Sequence, residues 1–222
     1  MKIDISSFDA VIFDMDGVLI DSEPLWKIAM EEVFHAIGSE LTREDFQKTV
    51  GLRLDEVVVF WHQHEGWKNV TPREVEMEIV DKMKQLLREN GEPLVGVLDT
   101  LSYLKSINMK IGLATSSYTV LIDTVLEILG IKSYFDFTHS AELESHGKPH
   151  PAVYLTVAKQ LNCEPIKCLV IEDSLNGIIS GKAARMKVVC IPEKTHFPEP
   201  KLMLADFHFK TMSDFLVDLT DN

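Results

Sequence analysis

Asp14 and Asp16 stand at the end of an apolar run, in Ala10-Val-Ile-Phe-Asp14-Met-Asp16-Gly17. Two carboxylates this close disfavour joint ionisation unless a cation neutralises them. The pair is therefore either a solvated strand end or a metal or acid/base site. Two further apolar runs finish in polar residues: Lys110-Ile-Gly-Leu-Ala114 in Thr115-Ser116-Ser117, and Cys168-Leu-Val-Ile171 in Glu172-Asp173-Ser174. A lysine, Lys148, sits in a loop between Gly147 and Pro149. Each group alone has an ordinary explanation. Thr115 can begin a helix, Lys148 can be a solvated loop charge, and Glu172 with Asp173 can pair with a helix dipole. Their joint placement where strands end argues for chemistry, because open α/β sheets bind ligands beyond the carboxyl ends of their strands.

Asp14, Asp16, Glu172 and Asp173 converging on one edge need a cation. With no His/Cys ligand set, hard oxygen donors point to Mg²⁺. A site with Mg²⁺, a lysine and hydroxyls suits a phosphate group, whose transition-state charge they neutralise. A carboxylate there can attack phosphorus and form an aspartyl-phosphate. Asp14, at the strand tip, is the natural nucleophile. In an extended chain Asp16 faces the same side, and it can protonate the leaving oxygen and then take a proton from water.

The elements that must hold these groups alternate. Ala10 to Phe13 reads as a buried strand, rich in Val, Ile and Phe. From residue 18 to 90 the pattern is helical: Pro24 to Ile37, Arg43 to Val50, Leu54 to His64, and a helix running from Thr71-Pro72-Arg73-Glu74 to Asn90-Gly91. Thr71 is its N-cap, Pro72 its first residue and Glu74 the other half of a capping box. Beyond Pro93, helices at Val97–Ile107, Val120–Leu129, Ala152–Leu161 and Leu175–Ala184 alternate with strands at Lys110–Ala114, Tyr134–Thr138, Cys168–Ile171 and Val188–Ile191. A short strand and a closing helix follow between Asp206 and Leu219. Such alternation implies right-handed crossovers and a parallel sheet. The expected fold is α/β: a Rossmann-like three-layer core, residues 1–17 and 91–222, interrupted by an α-helical cap, residues 18–90.

Composition narrows the partners. A chain of 222 residues, 45% hydrophobic and 26% charged, can bury a sizeable core. Its net charge of −13, with no Lys/Arg run, disfavours nucleic acid. No stretch approaches the roughly 20 apolar residues of a membrane span, and the N-terminus lacks the apolar core of a signal peptide, so a cytoplasmic location is expected; a monomer is expected as well. The cysteines, Cys163, Cys168 and Cys190, lack zinc-type spacing; Cys168 and Cys190 are read as small core residues.

Asp14-Met-Asp16-Gly-Val, Thr115 after an apolar run, Gly147-Lys148-Pro149 and Glu172-Asp173-Ser resemble, in order and separation, the motifs of the haloacid dehalogenase superfamily. The resemblance spans nearly the whole chain, cap included. It implies Asp14 as nucleophile and Asp16 as acid/base, with Asp14, the Asp16 backbone carbonyl and Asp173 on Mg²⁺ and Glu172 close behind. Thr115, Ser116 and Lys148 would hold the phosphate of a small phosphorylated metabolite. Within the superfamily the chain is similar to sugar-phosphate phosphatases and beta-phosphoglucomutases, and Asp21-Ser22-Glu23-Pro24-Leu25-Trp26 looks like bacterial phosphatases of 2-deoxyglucose 6-phosphate and hexitol phosphates. True dehalogenases lack the second aspartate and use no Mg²⁺. The mutases carry a histidine where this chain has Trp26, and a lysine where Val50 precedes Gly51. The resemblance thus implies a phosphoric monoester hydrolase. A mutase-type intramolecular phosphotransferase is the alternative, and a non-catalytic binding or regulatory module a more distant one. Specificity should come from the cap, where Glu23, Trp26 and Arg53 are candidates; each can equally be structural.

Overall fold

The computed structural model describes residues 2–49, 52–192 and 200–221. The comparison of Val50 and Gly51 with the mutases lies outside them. Among the described residues six strands form one parallel sheet: β1 (Ala10–Phe13), β2 (Lys110–Thr115), β3 (Phe137–Ser140), β4 (Cys168–Glu172), β5 (Lys187–Cys190) and β6 (Phe207–His208). Their order is β3-β2-β1-β4-β5-β6, so the first strand is central, with β2 and β4 on its two sides. The chain winds outward from β1 in one direction and then in the other. This reversal opens a crevice at the carboxyl ends of β1, β2 and β4.

Alternation along the strands splits the core. Val11 and Phe13 of β1, Ile111 and Leu113 of β2, and Leu169 and Ile171 of β4 face one layer of helices: α5 (Val97–Ser106), α6 (Thr119–Ile128) and α9 (Met212–Thr220). Ala10, Ile12, Val170 and Val188 face the other, α7 (Ala152–Gln160) and α8 (Leu175–Ala183). Every β1 residue is fully buried, as expected for a parallel strand covered on both faces. Cys168 and Cys190 are buried and unpaired, and burial pushes both thiols up to about 12.

Between β1 and α5 lie the cap helices α1 (Glu23–Ala36), α2 (Arg43–Phe46), α3 (Leu54–Glu65) and α4 (Pro72–Asn90). Helix α4 packs on α1, α3 and the core helix α6. Its capping box forms as the sequence suggests: Thr71 N–H donates to Glu74 Oε2 at 2.7 Å and Glu74 N–H to Thr71 Oγ1 at 3.3 Å. The two connections to the core run side by side, with Ile20 bridging both Asp16 and Pro93, and Leu94 N–H donating to the Leu19 carbonyl at 3.1 Å.

Two elements differ from the sequence reading. The helix expected over Arg43 to Val50 is α-helical only to Phe46 and continues as a 3-10 turn, Gln47–Thr49. The strand expected at Tyr134–Thr138 begins at Phe137, while Lys132–Tyr134 form a 3-10 turn. Asp136 sets that start: its carboxylate accepts from Ile111 N–H at 2.8 Å, and its own N–H donates to the Ile111 carbonyl at 2.8 Å. No helix among the described residues is long and apolar enough to cross a membrane.

Candidate active site

Asp14 continues the parallel ladder one residue past β1, its N–H donating to the Ile171 carbonyl at 3.0 Å. This fixes its side chain at the crevice, where it is buried. Lys148 Nζ lies 2.9 Å from Asp14 Oδ1, yet that oxygen receives no directed hydrogen bond, so the two pair through charge. Burial raises the Asp14 pKa from 3.8 to about 7; Lys148 opposes the rise, and Glu172 and Asp16 add to it.

Lys148 is itself buried and donates to the Ala114 carbonyl at 3.0 Å and to Glu172 Oε1 at 2.7 Å. Burial works against its charge, but the two carboxylates hold the ammonium above the ordinary lysine value. Glu172, wholly buried, accepts from Lys148 and the Tyr154 hydroxyl on Oε1, and from Asp173 N–H, Ser174 N–H and Ser174 Oγ on Oε2. Burial alone would raise its pKa; the lysine charge and these donors hold it below the ordinary glutamate value. Glu172 is thus the post to which Lys148 is tied. Tyr154 on α7 supports it from beneath, 2.7 Å away, and Gly177 on α8 makes room for it, since a Cβ there would lie 1.7 Å from Oε1.

The structure brings Asp14, Glu172 and Asp173 together, each offering an oxygen within 4.8 Å of the others. Gly17, at φ +71°, opens the way for Asp173, whose Oδ2 would lie 2.3 Å from a Cβ at that position. These residues fit Mg²⁺: the donors are hard carboxylate oxygens, and Asp14 Oδ1 is a buried oxygen whose contact with Lys148 is not aligned as a hydrogen bond. The Asp16 side chain does not join the group. The chain leaves the extended form after Asp14, with Val18, Leu19 and Ile20 N–H all folding back on the Met15 carbonyl. Asp16 therefore turns toward other donors: Ser22 Oγ at 2.5 Å and Trp26 Nε1 at 3.1 Å on Oδ1, Ser117 Oγ at 2.6 Å and Thr115 Oγ1 at 3.5 Å on Oδ2. Its expected part in metal binding was in any case through the backbone carbonyl.

Thr115 is buried at the end of β2, and Ser117 N–H donates to its hydroxyl at 3.1 Å. Ser116 is half-buried in the same turn. Of the cap candidates, Trp26 reaches the site through Asp16, whereas Glu23 pairs with Lys27 at 3.1 Å along α1. Arg53 grips Asp55 through two contacts of 2.6 Å and crosses to the core, donating to the Ala141 and Glu144 carbonyls at 3.0 and 3.2 Å. Sequence reasoning passed over Ser22, Ser117, Tyr154 and Gly177. Ser22 and Ser117 lie inside stretches already singled out, but Tyr154 reads as one more member of an apolar helical stripe.

Known proteins resemble this chain over most of its length. The profile described as haloacid dehalogenase-like hydrolase matches residues 11–191. The chain is 36% identical over 206 residues to hexitol phosphatase B of Escherichia coli (strain K12), covering 92% of this chain and 93% of that one. It is 34% identical over 183 residues to a phosphorylated carbohydrates phosphatase of Thermotoga maritima, covering 79% and 81%. The crystal structure of beta-phosphoglucomutase from Clostridium difficile superposes with a TM-score of 0.78 at 28% identity, over 92% of each chain. The chain belongs to the haloacid dehalogenase-like hydrolase family.

Proposed function

We propose that this protein is a Mg²⁺-dependent phosphatase of small phosphorylated sugars or sugar alcohols, working in the cytosol through an aspartyl-phosphate on Asp14. The observation that carries the reading is Asp14 itself: a buried carboxylate at the tip of the central strand, charge-paired to a lysine 2.9 Å away and grouped with the carboxylates of Glu172 and Asp173. The hexitol and carbohydrate phosphatases among its relatives support the substrate class.

Asp14 attacks phosphorus, and the leaving oxygen takes a proton from Asp16. Asp16 then removes a proton from the water that hydrolyses the acyl phosphate. Ser22, Trp26 and Ser117 aim its carboxylate for both transfers. Thr115, Ser116 and Lys148 hold the phosphoryl oxygens, and Glu172 with Tyr154 keeps the lysine in place. Asp14, Asp173 and the Asp16 carbonyl would hold the metal ion, which supplies positive charge against those oxygens. The division into core (1–17, 91–222) and cap (18–90) belongs to the same reading, supported by the paired connections at Ile20 and Pro93. Cap closure would exclude bulk water.

The test is a phosphate-release screen with Mg²⁺ over phosphorylated sugars, polyols, nucleotides and small acids, with Asp14→Asn as the blank. Release from sugar or polyol phosphates that the blank lacks is the expected result; full activity in the blank overturns the nucleophile. The kinship with beta-phosphoglucomutase favours a second reading. Isomer conversion without phosphate release, given a bisphosphate primer, would establish it instead.

A further inference from the structure

The buried stripe of α4 runs back from Leu87 through Met83, Val80 and Ile79, and one turn nearer the N-terminus it ends on Val75 and, beside it, a carboxylate, Glu76, which is 5% exposed. An apolar residue would continue the stripe at lower cost, since a buried charge is expensive even when paired. Glu76 pairs with Arg73, whose own side chain is 64% exposed. Burial pushes the Glu76 carboxyl up, Arg73 opposes this, and Asp55 adds to the rise. The packing of α4 does not require a glutamate here.

Its surroundings lead to the site from two sides. Arg73 Nη1 lies 3.5 Å from the Tyr118 hydroxyl, with the guanidinium 5.9 Å from the ring centre, and Tyr118 directly follows Ser117, which holds Asp16. On the other side Arg53, paired to Asp55, crosses to the Ala141 and Glu144 carbonyls in the loop that leads to Lys148. Glu76 feels the charges of both Arg53 and Asp55. The cap therefore presents, between its two crossings to the core, a patch of two guanidinium groups, Arg53 and Arg73, and three carboxylates, Asp55, Glu56 and Glu76, with Glu56 accepting from the Arg53 backbone N–H, so that negative charge is in excess. Such a patch is rich in donors and acceptors but offers no spare positive charge.

We infer that Glu76, with Arg73 and the Arg53–Asp55 pair, reads the hydroxyl groups at the unphosphorylated end of the substrate and selects polyol monophosphates over bisphosphates. This rests on the phosphatase reading above. Hydroxyls donate to the carboxylates and accept from the guanidinium groups. A second phosphate would meet three carboxylates against two guanidinium groups, which is discrimination by repulsion as well as by attraction.

The experiment compares steady-state kinetics on a hexitol 6-phosphate, on fructose 1,6-bisphosphate and on p-nitrophenyl phosphate, which carries no sugar hydroxyls, for wild type, Glu76→Gln and Glu76→Lys. In Glu76→Gln the preference for hexitol phosphate over p-nitrophenyl phosphate should fall about tenfold or more, mainly through KM. In Glu76→Lys the bisphosphate-to-monophosphate ratio of kcat/KM should rise. Glu76→Gln keeps the side-chain shape and removes a buried charge, so its melting temperature should not fall. Equal changes on all three substrates, or ratios unchanged in both variants, overturn the inference while leaving the phosphatase reading intact. Absence of phosphate release by wild type from all three overturns that reading and this inference with it.

Discussion

Gly177→Ala separates helix propensity from the architecture of the site. Gly177 lies in α8, where exchanging glycine for alanine ordinarily stabilises a helix by up to about 1 kcal/mol. Here the new Cβ would stand 1.7 Å from Glu172 Oε1, 1.8 Å from Cδ and 2.2 Å from Oε2. No small shift relieves three such contacts, because the carboxylate is anchored by Lys148, Tyr154, Ser174 and the Asp173 N–H. Glu172 must swing away, and Lys148 keeps only Asp14 and the Ala114 carbonyl. Breaking a buried ion pair costs about 3–5 kcal/mol, so after the helix gain the expected net destabilisation is about 2–4 kcal/mol. Urea unfolding measures it. Phosphate release should fall about 10²-fold as the lysine loses its position. The decisive comparison is the same substitution in a Glu172→Ala background, where the clash is absent and Gly177→Ala should become neutral or mildly stabilising. If the cost is the same in both backgrounds, or if Gly177→Ala stabilises the wild type, Glu172 is not the post described above.

Tyr154→Phe removes a hydroxyl 2.7 Å from the buried Glu172 carboxylate and should cost about 1.5–3 kcal/mol in urea unfolding. The Asp14 carboxyl, raised from 3.8 to about 7 chiefly by burial, favours the folded state only while protonated. Its contribution is full below pH 3.8 and is lost as pH rises through about 7, by at most about 4 kcal/mol. In metal-free buffer Asp14→Asn should therefore gain on wild type as pH rises across that window, which melting curves with a chelator present will show. Added Mg²⁺ should stabilise wild type, by about 2.7 kcal/mol at a hundredfold excess over Kd, and should have little effect on Asp173→Asn.

The sheet was legible because its strands are short Val/Ile-rich runs bounded by turns, and the cap because Thr71, Pro72 and Glu74 write a helix start into the sequence. The β3 boundary was not, since Asp136 fixes it through a hydrogen bond to Ile111, a partner that is remote in sequence. At the site, strand ends pointed to Asp14, Thr115 and Asp173. What stayed hidden was mutual support: nothing in the spacing of Lys148, Tyr154, Glu172 and Gly177 says that one carboxylate binds the lysine, the phenol and the start of α8 together. The orientation of Asp16 is hidden too, because Met15 begins a tight turn where a strand end suggests an extended chain.

That turn joins the two halves of the protein. Ser22 stands at the N-cap of α1, where a serine usually gives its oxygen to the helix; here its side chain makes no cap bond and donates to Asp16. Trp26, one turn further on, gives its indole N–H to the same oxygen. The other oxygen belongs to the core, through Ser117 and Thr115. The carboxylate assigned to proton transfer is thus shared between cap and core, and its aim depends on where α1 sits. A cap displaced from the core would take Ser22 and Trp26 with it and leave Asp16 held from one side. On the proposed reading, substrate recognition in the cap and acid/base chemistry at the sheet edge would be coupled through this one side chain, with Ser22 at the start of α1 spent on Asp16 rather than on its own helix.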